Sequence, residues 1–270
     1  MILIVGLGSM GKRRIRCLQR LGYDNIVGCD PREDRRKEAY EKYAIEVTAD
    51  VPVMTNDVVF VCAPPKHHRY ISDAMAPRKC FIEAGTELLE HCTPSATMLF
   101  NPLVQEIQQK LPEIGKLVNI SYHCGQYLPD WHPYEKVSEF YAGEVGATEM
   151  VAFELMWMLR TFGLPEEING SRHDPKSSHI EGLSNTDSVA IWLRYQQKDM
   201  LISTIIDVVS RVPIRQLVIN GTEKQLRYDL NQGVSEQMYV DETKAFMEGN
   251  YPNTLEHSNK VINITKKLCA

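Results

Sequence analysis

Gly6, Gly8 and Gly11 stand as Gly-x-Gly-x-x-Gly directly after the apolar run Ile2–Val5, where a stretch with helical spacing begins. Glycines so placed have separate jobs. Gly6 permits a tight turn, Gly8 lets backbone approach a pyrophosphate, and Gly11 lets the helix pack on the strand. The N–H groups at the start of that helix, around Ser9 and Met10, would then face phosphate oxygens. The next apolar run ends Val27-Gly28-Cys29-Asp30, with Asp30 at the distance expected for an acid that binds adenosine ribose hydroxyls. The spacing therefore predicts a dinucleotide site, the plain alternative being a strand-helix turn that needs glycine for packing alone. The charge of Asp30 would repel the 2′-phosphate of NADP and favours NAD, although Arg32 or Arg35 just beyond it could hold that phosphate.

Two further strand ends carry candidate groups. Val61-Cys62-Ala63-Pro64-Pro65-Lys66-His67-His68 leaves the sheet through two prolines, which stiffen the exit beside the expected nicotinamide position. Ala63, Pro64, Pro65 and His67 are thus cofactor neighbours, unless Lys66 and His67 merely enter a helix in solvent. Phe81-Ile82-Glu83-Ala84-Gly85 stops an apolar strand at a carboxylate, and Glu83 reads as a cofactor-side or structural acid. Downstream, Tyr127, Asp130, Trp131, His132 and Tyr134 crowd one loop. His132 has the unperturbed pKa best suited to proton transfer near neutrality. It could equally belong to a packed loop plug, with Trp131 and Pro133 beside it. Glu149 and Glu154 are five apart on an expected helix and do not share a face as an i, i+4 pair would. Both are candidates in a plausible cleft segment.

The elements that must position these groups follow from hydrophobic period. Strands are expected at Met1–Val5, Asn25–Cys29, Ile45–Val47, Asp57–Ala63, Cys80–Glu83 and Ala96–Phe100. Helices are expected between them at Met10–Leu21, Arg32–Tyr43, Lys66–Met75 and Glu87–Cys92. Lys12, Arg13, Arg14, Arg16 and Arg20 lie on the first helix and read as a solvated outer face. This alternation predicts an α/β, doubly wound parallel (Rossmann) domain over residues 1–101. Residues 102–270 change rhythm and predict an α+β domain with an open, mainly antiparallel sheet. It has a helix at Val104–Leu111, a strand at Leu117–Cys124, a long loop at Gly125–Gly143 and a helix at Ala147–Phe162. Strands follow at Val189–Tyr195, Met200–Ile206, Ile214–Ile219 and Gln225–Tyr228, then helices at about Ser235–Glu248 and Asn253–Leu268, the last of which could pack back on the first domain. Asn169 and Asn220 read as Gly turns, while Met156, Trp157 and Met158 read as core.

Composition narrows the classes. Among 270 residues, 43% are apolar and 24% charged, an ordinary globular mixture, and the net charge of −5 argues against a nucleic-acid partner. No apolar run reaches the roughly 18 residues of a membrane span. The start Met-Ile-Leu-Ile-Val-Gly has no secretory n-region, so a cytoplasmic location is expected. Seven scattered cysteines with no Cys-x-x-Cys, and eight histidines without zinc spacing, predict no metal and no disulfide framework.

The ordered series VGLGSMGKRR, VFVCAPPKHH, FIEAG, CGQYLPDWHPYE, MVAFELMWMLRTFG and VPIRQLVINGTEKQLRYDLN resembles the Gfo/Idh/MocA family of NAD(P)-dependent oxidoreductases across essentially the whole chain. The resemblance implies oxidation of a sugar or cyclitol hydroxyl, or reduction of the matching ketone, in a cleft beside the nicotinamide. It also implies a homo-oligomer, dimer or tetramer, formed through the open sheet face. The loop Gly125–Glu135 is similar to that of relatives associated with surface glycans. This chain departs from the family at its chemical centre. Ala84 stands where the resemblance implies a lysine that binds substrate and helps move the hydroxyl proton, and Phe153 stands where it implies a histidine. A family member that has kept the dinucleotide but lost the chemistry, serving as a sensor or partner subunit, is the second reading.

Overall fold

Ile2, Leu3, Ile4 and Val5 are all buried, which a strand achieves only in a sheet covered on both faces. The computed structural model describes residues 1–51, 58–64, 67–75, 79–83, 92–131, 136–137, 146–174, 176, 178–183 and 185–269. The chain divides into two compact units, one of Met1–Phe100 with Ser235–Asn259, the other of Asn101–Val234 with Lys260–Ala270.

In the first unit β1 (Ile2–Val5), β2 (Ile26–Cys29), β3 (Glu46–Thr48), β4 (Val58–Val61), β5 (Lys79–Ile82) and β6 (Cys92–Pro94) form one sheet in the order β3-β2-β1-β4-β5-β6. Every pairing is parallel. Strand order reverses between β1 and β4, the switch point at which such sheets bind ligands. Alternation sends Ile2, Ile4, Phe60 and Phe81 to one face, where Ile15 and Leu18 of α1 (Ser9–Arg20) and Ala39 of α2 (Glu33–Tyr43) cover them. Leu3, Val5, Val59, Val61 and Ile82 pack on the other face with Ile71 of α3 (His68–Met75).

The sixth strand is Cys92–Pro94, not Ala96–Phe100, and Thr97–Phe100 closes into a 3-10 turn. The reason is a buried carboxylate. Ser95 Oγ, the Ala96 N–H and Thr97 Oγ1 all donate to Glu242, a convergence that an extended strand with alternating directions cannot offer. Of the helix expected at Glu87–Cys92, Cys92 is strand and 87–91 lie outside the described residues. Glu242 belongs to the helix Glu236–Glu248 (α6), expected within the 102–270 domain. It packs with the first unit because Phe246 completes an aromatic cluster there, its ring centroid 5.3 Å from Phe60 and 5.0 Å from Phe81.

The second unit holds α4 (Pro102–Lys110), β7 (Leu117–Tyr127), α5 (Ala147–Phe162), β8 (Glu167–Arg172), β9 (Ser188–Tyr195), β10 (Met200–Asp207), β11 (Val209–Gly221) and β12 (Gln225–Asp229). Its sheet runs β12-β11-β7-β10-β9-β8, and only β7 and β10 are parallel. Ile120, Tyr122 and Cys124 alternate into the core, where Tyr122 meets Trp157 of α5 edge-on at 5.4 Å. Met156 and Met158 are buried beside them. The opposite sheet face leaves Trp192, Leu201 and Ile205 between 43% and 49% exposed. β7 continues through Gly125–Tyr127, where a loop was expected, because the missing side chain of Gly125 admits Asp207 and Ser210 from the neighbouring strands. β8 escapes hydrophobic patterning since it is a polar edge strand. Asn169 lies inside it, Asn220 lies inside β11, and neither is in a turn. The last helix, α7 (Leu255–Cys269), crosses the division between units. No helix among the described residues is long and apolar enough to cross a membrane.

Candidate functional site

The glycine loop is built tightly on one side and left open on the other. Gly6 has φ +94°, in the left-handed region, and a Cβ there would lie 2.7 Å from the backbone of Cys62 and Ala63 at the end of β4. A Cβ on Gly11 would run into the Gly6 carbonyl oxygen, so α1 approaches the loop only because residue 11 is glycine. Gly8 differs. A Cβ there would meet nothing nearer than the Arg35 guanidinium at 3.7 Å, which leaves the space over the loop free for a ligand. α1 begins at Ser9 with no side-chain cap and no acid in its first turn, so its leading N–H groups are available to an anion. These features fit the diphosphate of a dinucleotide.

Asp30 is buried and fixes the loop. Its Oδ2 accepts the Leu7 N–H at 2.8 Å and its Oδ1 accepts the Arg32 N–H at 2.9 Å, with Arg35 Nη1 3.6 Å away. Of the two arginines that bear on a 2′-phosphate, the Arg32 side chain pairs with Asp34, whereas Arg35 stands between Asp30 and the space over Gly8. At the exit of β4, Ala63 and Pro64 are half-buried, and His68 is buried with Nε2 2.7 Å from the Ala63 carbonyl oxygen. His67 is exposed, and Pro65 lies outside the described residues.

Glu83 ends β5 against a cation that sequence reasoning assigned to solvent. Arg14 is fully buried: its Nε pairs with Glu83, its Nη2 lies 2.5 Å from Glu242, and its Nη1 donates to Thr243 Oγ1 and the Tyr239 carbonyl. Burial alone would lower the Arg14 pKa, but the charges of Glu83 and Glu242 hold it well above its ordinary value. Burial pushes the Glu83 carboxyl up, and the charge of Glu242 works in the same direction against the pull of Arg14. Glu242 is saturated with donors, with Tyr251 Oη added at 2.7 Å. The only sequence signal for this cluster was the place of Arg14 three residues past Gly11, on the strand-facing side of α1.

In the second unit, the C-terminal ends of β7 and β10 meet the start of α5. The Ala147 N–H donates to the Thr186 carbonyl, and the Leu128 N–H to that of Val208. Asp207 organises this end, with Oδ1 accepting the N–H groups of Val209 and Ser210 and Oδ2 2.7 Å from His123 Nε2. A second pair, His173 Nδ1 and Asp187 Oδ1 at 2.9 Å, lies along the same edge. Tyr127 is half-buried here; the Arg211 guanidinium carbon sits 3.8 Å from its ring centroid, and His179 stacks at 6.3 Å with planes 12° apart. Asp130 is exposed, while Trp131 is half-buried with its indole N–H lacking an acceptor among the described residues. His132 and Tyr134 lie outside the described residues, and Glu149 is placed only as part of α5.

Glu154 is no acid/base group. It is buried and accepts from Tyr122 Oη and Trp157 Nε1, both at 2.7 Å, and from Arg215 Nη2 at 2.6 Å. These donors hold it as a core carboxylate. His123, Asp207, Arg211 and His179 went unnoticed in the sequence because they come from three separate segments. Strand register brings His123 and Asp207 together, while the break in the β11 ladder and the loop of His179 bring the other two to Tyr127. A groove of about 710 Å³ lined by Asn119, Arg194, Tyr195 and Leu201 lies at the other end of this sheet and shares none of these residues.

A family model described as NADP oxidoreductase, coenzyme F420-dependent, matches residues 1–85, the stretch of the glycine loop and first five strands. No curated protein matches the chain. Among solved structures, myo-inositol 2-dehydrogenase from Lactobacillus plantarum is similar with a TM-score of 0.81 at 16% identity, covering 98% of this chain and 94% of that one. The WlbA dehydrogenase from Bordetella pertussis, in complex with NADH and UDP-GlcNAcA, gives 0.82 at 12% identity, covering 99% and 93%. Biliverdin reductase from Synechocystis, in complex with biliverdin and NADP+, gives 0.77 at 13% identity, covering 99% and 98%. The chain thus has the two-domain fold of Gfo/Idh/MocA-type proteins: a parallel six-stranded sheet with helices, and a mixed sheet.

Proposed function

We propose that this protein is an NAD(P)-dependent oxidoreductase acting on a hydroxyl or ketone of a sugar-like substrate, with NAD the preferred dinucleotide. One observation carries the reading: a glycine loop at the switch point, open above Gly8 and held from below by Asp30, beneath an uncapped helix start. The similar solved structures support it, one holding NADH with a nucleotide sugar and another named for inositol oxidation.

The nicotinamide, when bound, supplies the hydride acceptor or donor. The chain's own residues must hold the dinucleotide and move the hydroxyl proton. Gly6, Gly8, Ser9, Met10 and Gly11 are assigned to the diphosphate, Asp30 with Arg32 to the adenosine ribose, and Ala63, Pro64, Pro65, His67 and Glu83 to the nicotinamide side. Hydroxyl oxidation needs a proton acceptor within about 3 Å of the oxygen or one water away. Ala84 and Phe153 cannot supply it. We assign that role to His132, with Glu149 as the second candidate, and assign Tyr127, Asp130, Trp131 and Tyr134 to substrate contact. Trp192, Leu201 and Ile205 on the open sheet face support a homo-oligomer, dimer or tetramer; we place the protein in the cytoplasm, and the resemblance of the Gly125–Glu135 loop supports a role in surface-glycan synthesis.

The second reading, a sensor or partner subunit that binds the dinucleotide without turnover, is favoured by Ala84 and Phe153. Two measurements test them, and turnover separates them. Calorimetry with NADH and NADPH is expected to show binding with NADH preferred; no binding of either overturns both readings. A panel of free and nucleotide-linked sugars, followed by nicotinamide absorbance, is expected to show turnover that His132→Ala removes. Binding without turnover on any sugar leaves the second reading.

A further inference from the structure

Among the described residues, Arg211 is an arginine without an acceptor. In the same unit Arg194 faces Glu167, Arg215 pairs with Glu154 and Arg227 donates to Gln225. Arg211 is exposed, and among the described residues it makes no hydrogen bond or ion pair; its guanidinium carbon lies 3.8 Å over the Tyr127 ring. A guanidinium laid on an aromatic face has its carbon over the ring and its five N–H donors around the edge, so stacking orients the fork without using it.

Its placement is held at three points. The backbone that carries it leaves the β7 ladder, since the register shifts between Val209 and Ile214. Asp207 fixes the start of that excursion through the N–H groups of Val209 and Ser210. Tyr127 is in turn stacked with His179, which limits the platform's own rotation. A planar, weakly hydrated cation with fixed orientation suits a carboxylate or phosphate, whose paired oxygens match the fork. It stands at the edge where the ends of β7 and β10 meet the start of α5, the side to which the proposed function assigns substrate.

We infer that Arg211, laid on Tyr127, recognises an oxyanion, carboxylate or phosphate, carried by the substrate. This rests on the dehydrogenase reading for its context, and it narrows the substrate class from sugars in general to acidic or phosphorylated ones. Neutral cyclitols fall outside it.

The test uses the full chain and four probes in calorimetry: glucuronate for the carboxylate, glucose 6-phosphate and UDP-glucose for the phosphate, and glucose as the neutral control. At least one acidic probe is expected to bind more tightly than glucose, which also says which oxyanion is read. Arg211→Ala should weaken that probe by roughly tenfold or more, the scale of a charge-assisted hydrogen bond, and leave glucose unchanged. Arg211→Lys keeps charge but not the fork and should fall between. Tyr127→Leu keeps the arginine but removes its platform, and should weaken the same probe several-fold. Glucose binding as tightly as every acidic probe, no probe binding, or an acidic probe indifferent to Arg211→Ala each overturns the inference. NADH binding is measured on the same samples: its loss in the unmutated protein defeats the dehydrogenase reading, while the Arg211 comparison still stands or falls on the acidic probes.

Discussion

Arg14 belongs to a run of basic residues on α1, yet it has no access to solvent and two carboxylates within reach. Truncating it to methionine would leave Glu83 and Glu242 buried without their cation. The expected loss is about 3–5 kcal/mol of unfolding free energy in a urea titration. A change below about 1 kcal/mol would mean that the carboxylates take up protons and need no partner. Cys29 offers a pH test. Burial, with the charges of Asp30 and Asp50, pushes its thiol from 9.0 up to about 11. A raised folded-state pKa contributes stability that is complete below the unfolded value and lost as pH climbs through the folded one. The melting temperature should therefore decline between pH 9 and 11, and Cys29→Ala should make that decline shallower; an unchanged slope refutes the assignment. At this scale the sequence was uneven. Asp30 and the glycines were readable because their spacing follows one strand and one helix. Arg14 and Glu242 lie 228 positions apart and meet only through packing, and in a helix whose charged residues are all basic the spacing from Gly11 alone hints at which arginine turns inward.

At the scale of elements, the glycine loop makes opposite predictions for Gly8 and Gly11. Gly11→Ala drives a methyl into the Gly6 carbonyl oxygen and should lower the melting temperature sharply or prevent folding. Gly8→Ala meets open space and should melt as the unmutated protein does, while NADH affinity falls about tenfold because the methyl occupies the diphosphate's place. Calorimetry and thermal melts on the pair check both, and a Gly8→Ala protein with full NADH affinity would move the ligand elsewhere. Periodic elements were legible: β1, β2, β4, β5, α1 and α5 fell within a residue or two of their expected bounds. The misses have physical causes. Ala96–Phe100 is apolar enough for a strand, but a carboxylate from a distant helix draws its donors into a turn. β8 is polar and at an edge, so alternation had no buried face to record.

At the scale of the whole molecule, the second sheet presents Trp192, Leu201 and Ile205 on one face. Register brings them together: Trp192 pairs with Ser203, which Leu201 and Ile205 flank on the same side. Light scattering behind size exclusion should give a mass at least twice the 30.8 kDa of one chain, and Trp192→Glu should reduce it. A monomer before mutation sinks the oligomer proposal. The family resemblance already pointed to this face, but the domain bounds could not be drawn from sequence. A hydrophobic pattern says that α6 has a buried side, and it does not say which sheet that side covers. The return of α6 to the first unit also bears on biosynthesis. When residue 100 has left the ribosome, Phe60 and Phe81 have no Phe246, and Arg14 has one of its two carboxylates. Roughly 150 residues must still be added, on the order of ten seconds of translation. Through that interval the nascent first unit carries an uncovered aromatic face, a place for a chaperone to hold until the chain's last quarter arrives.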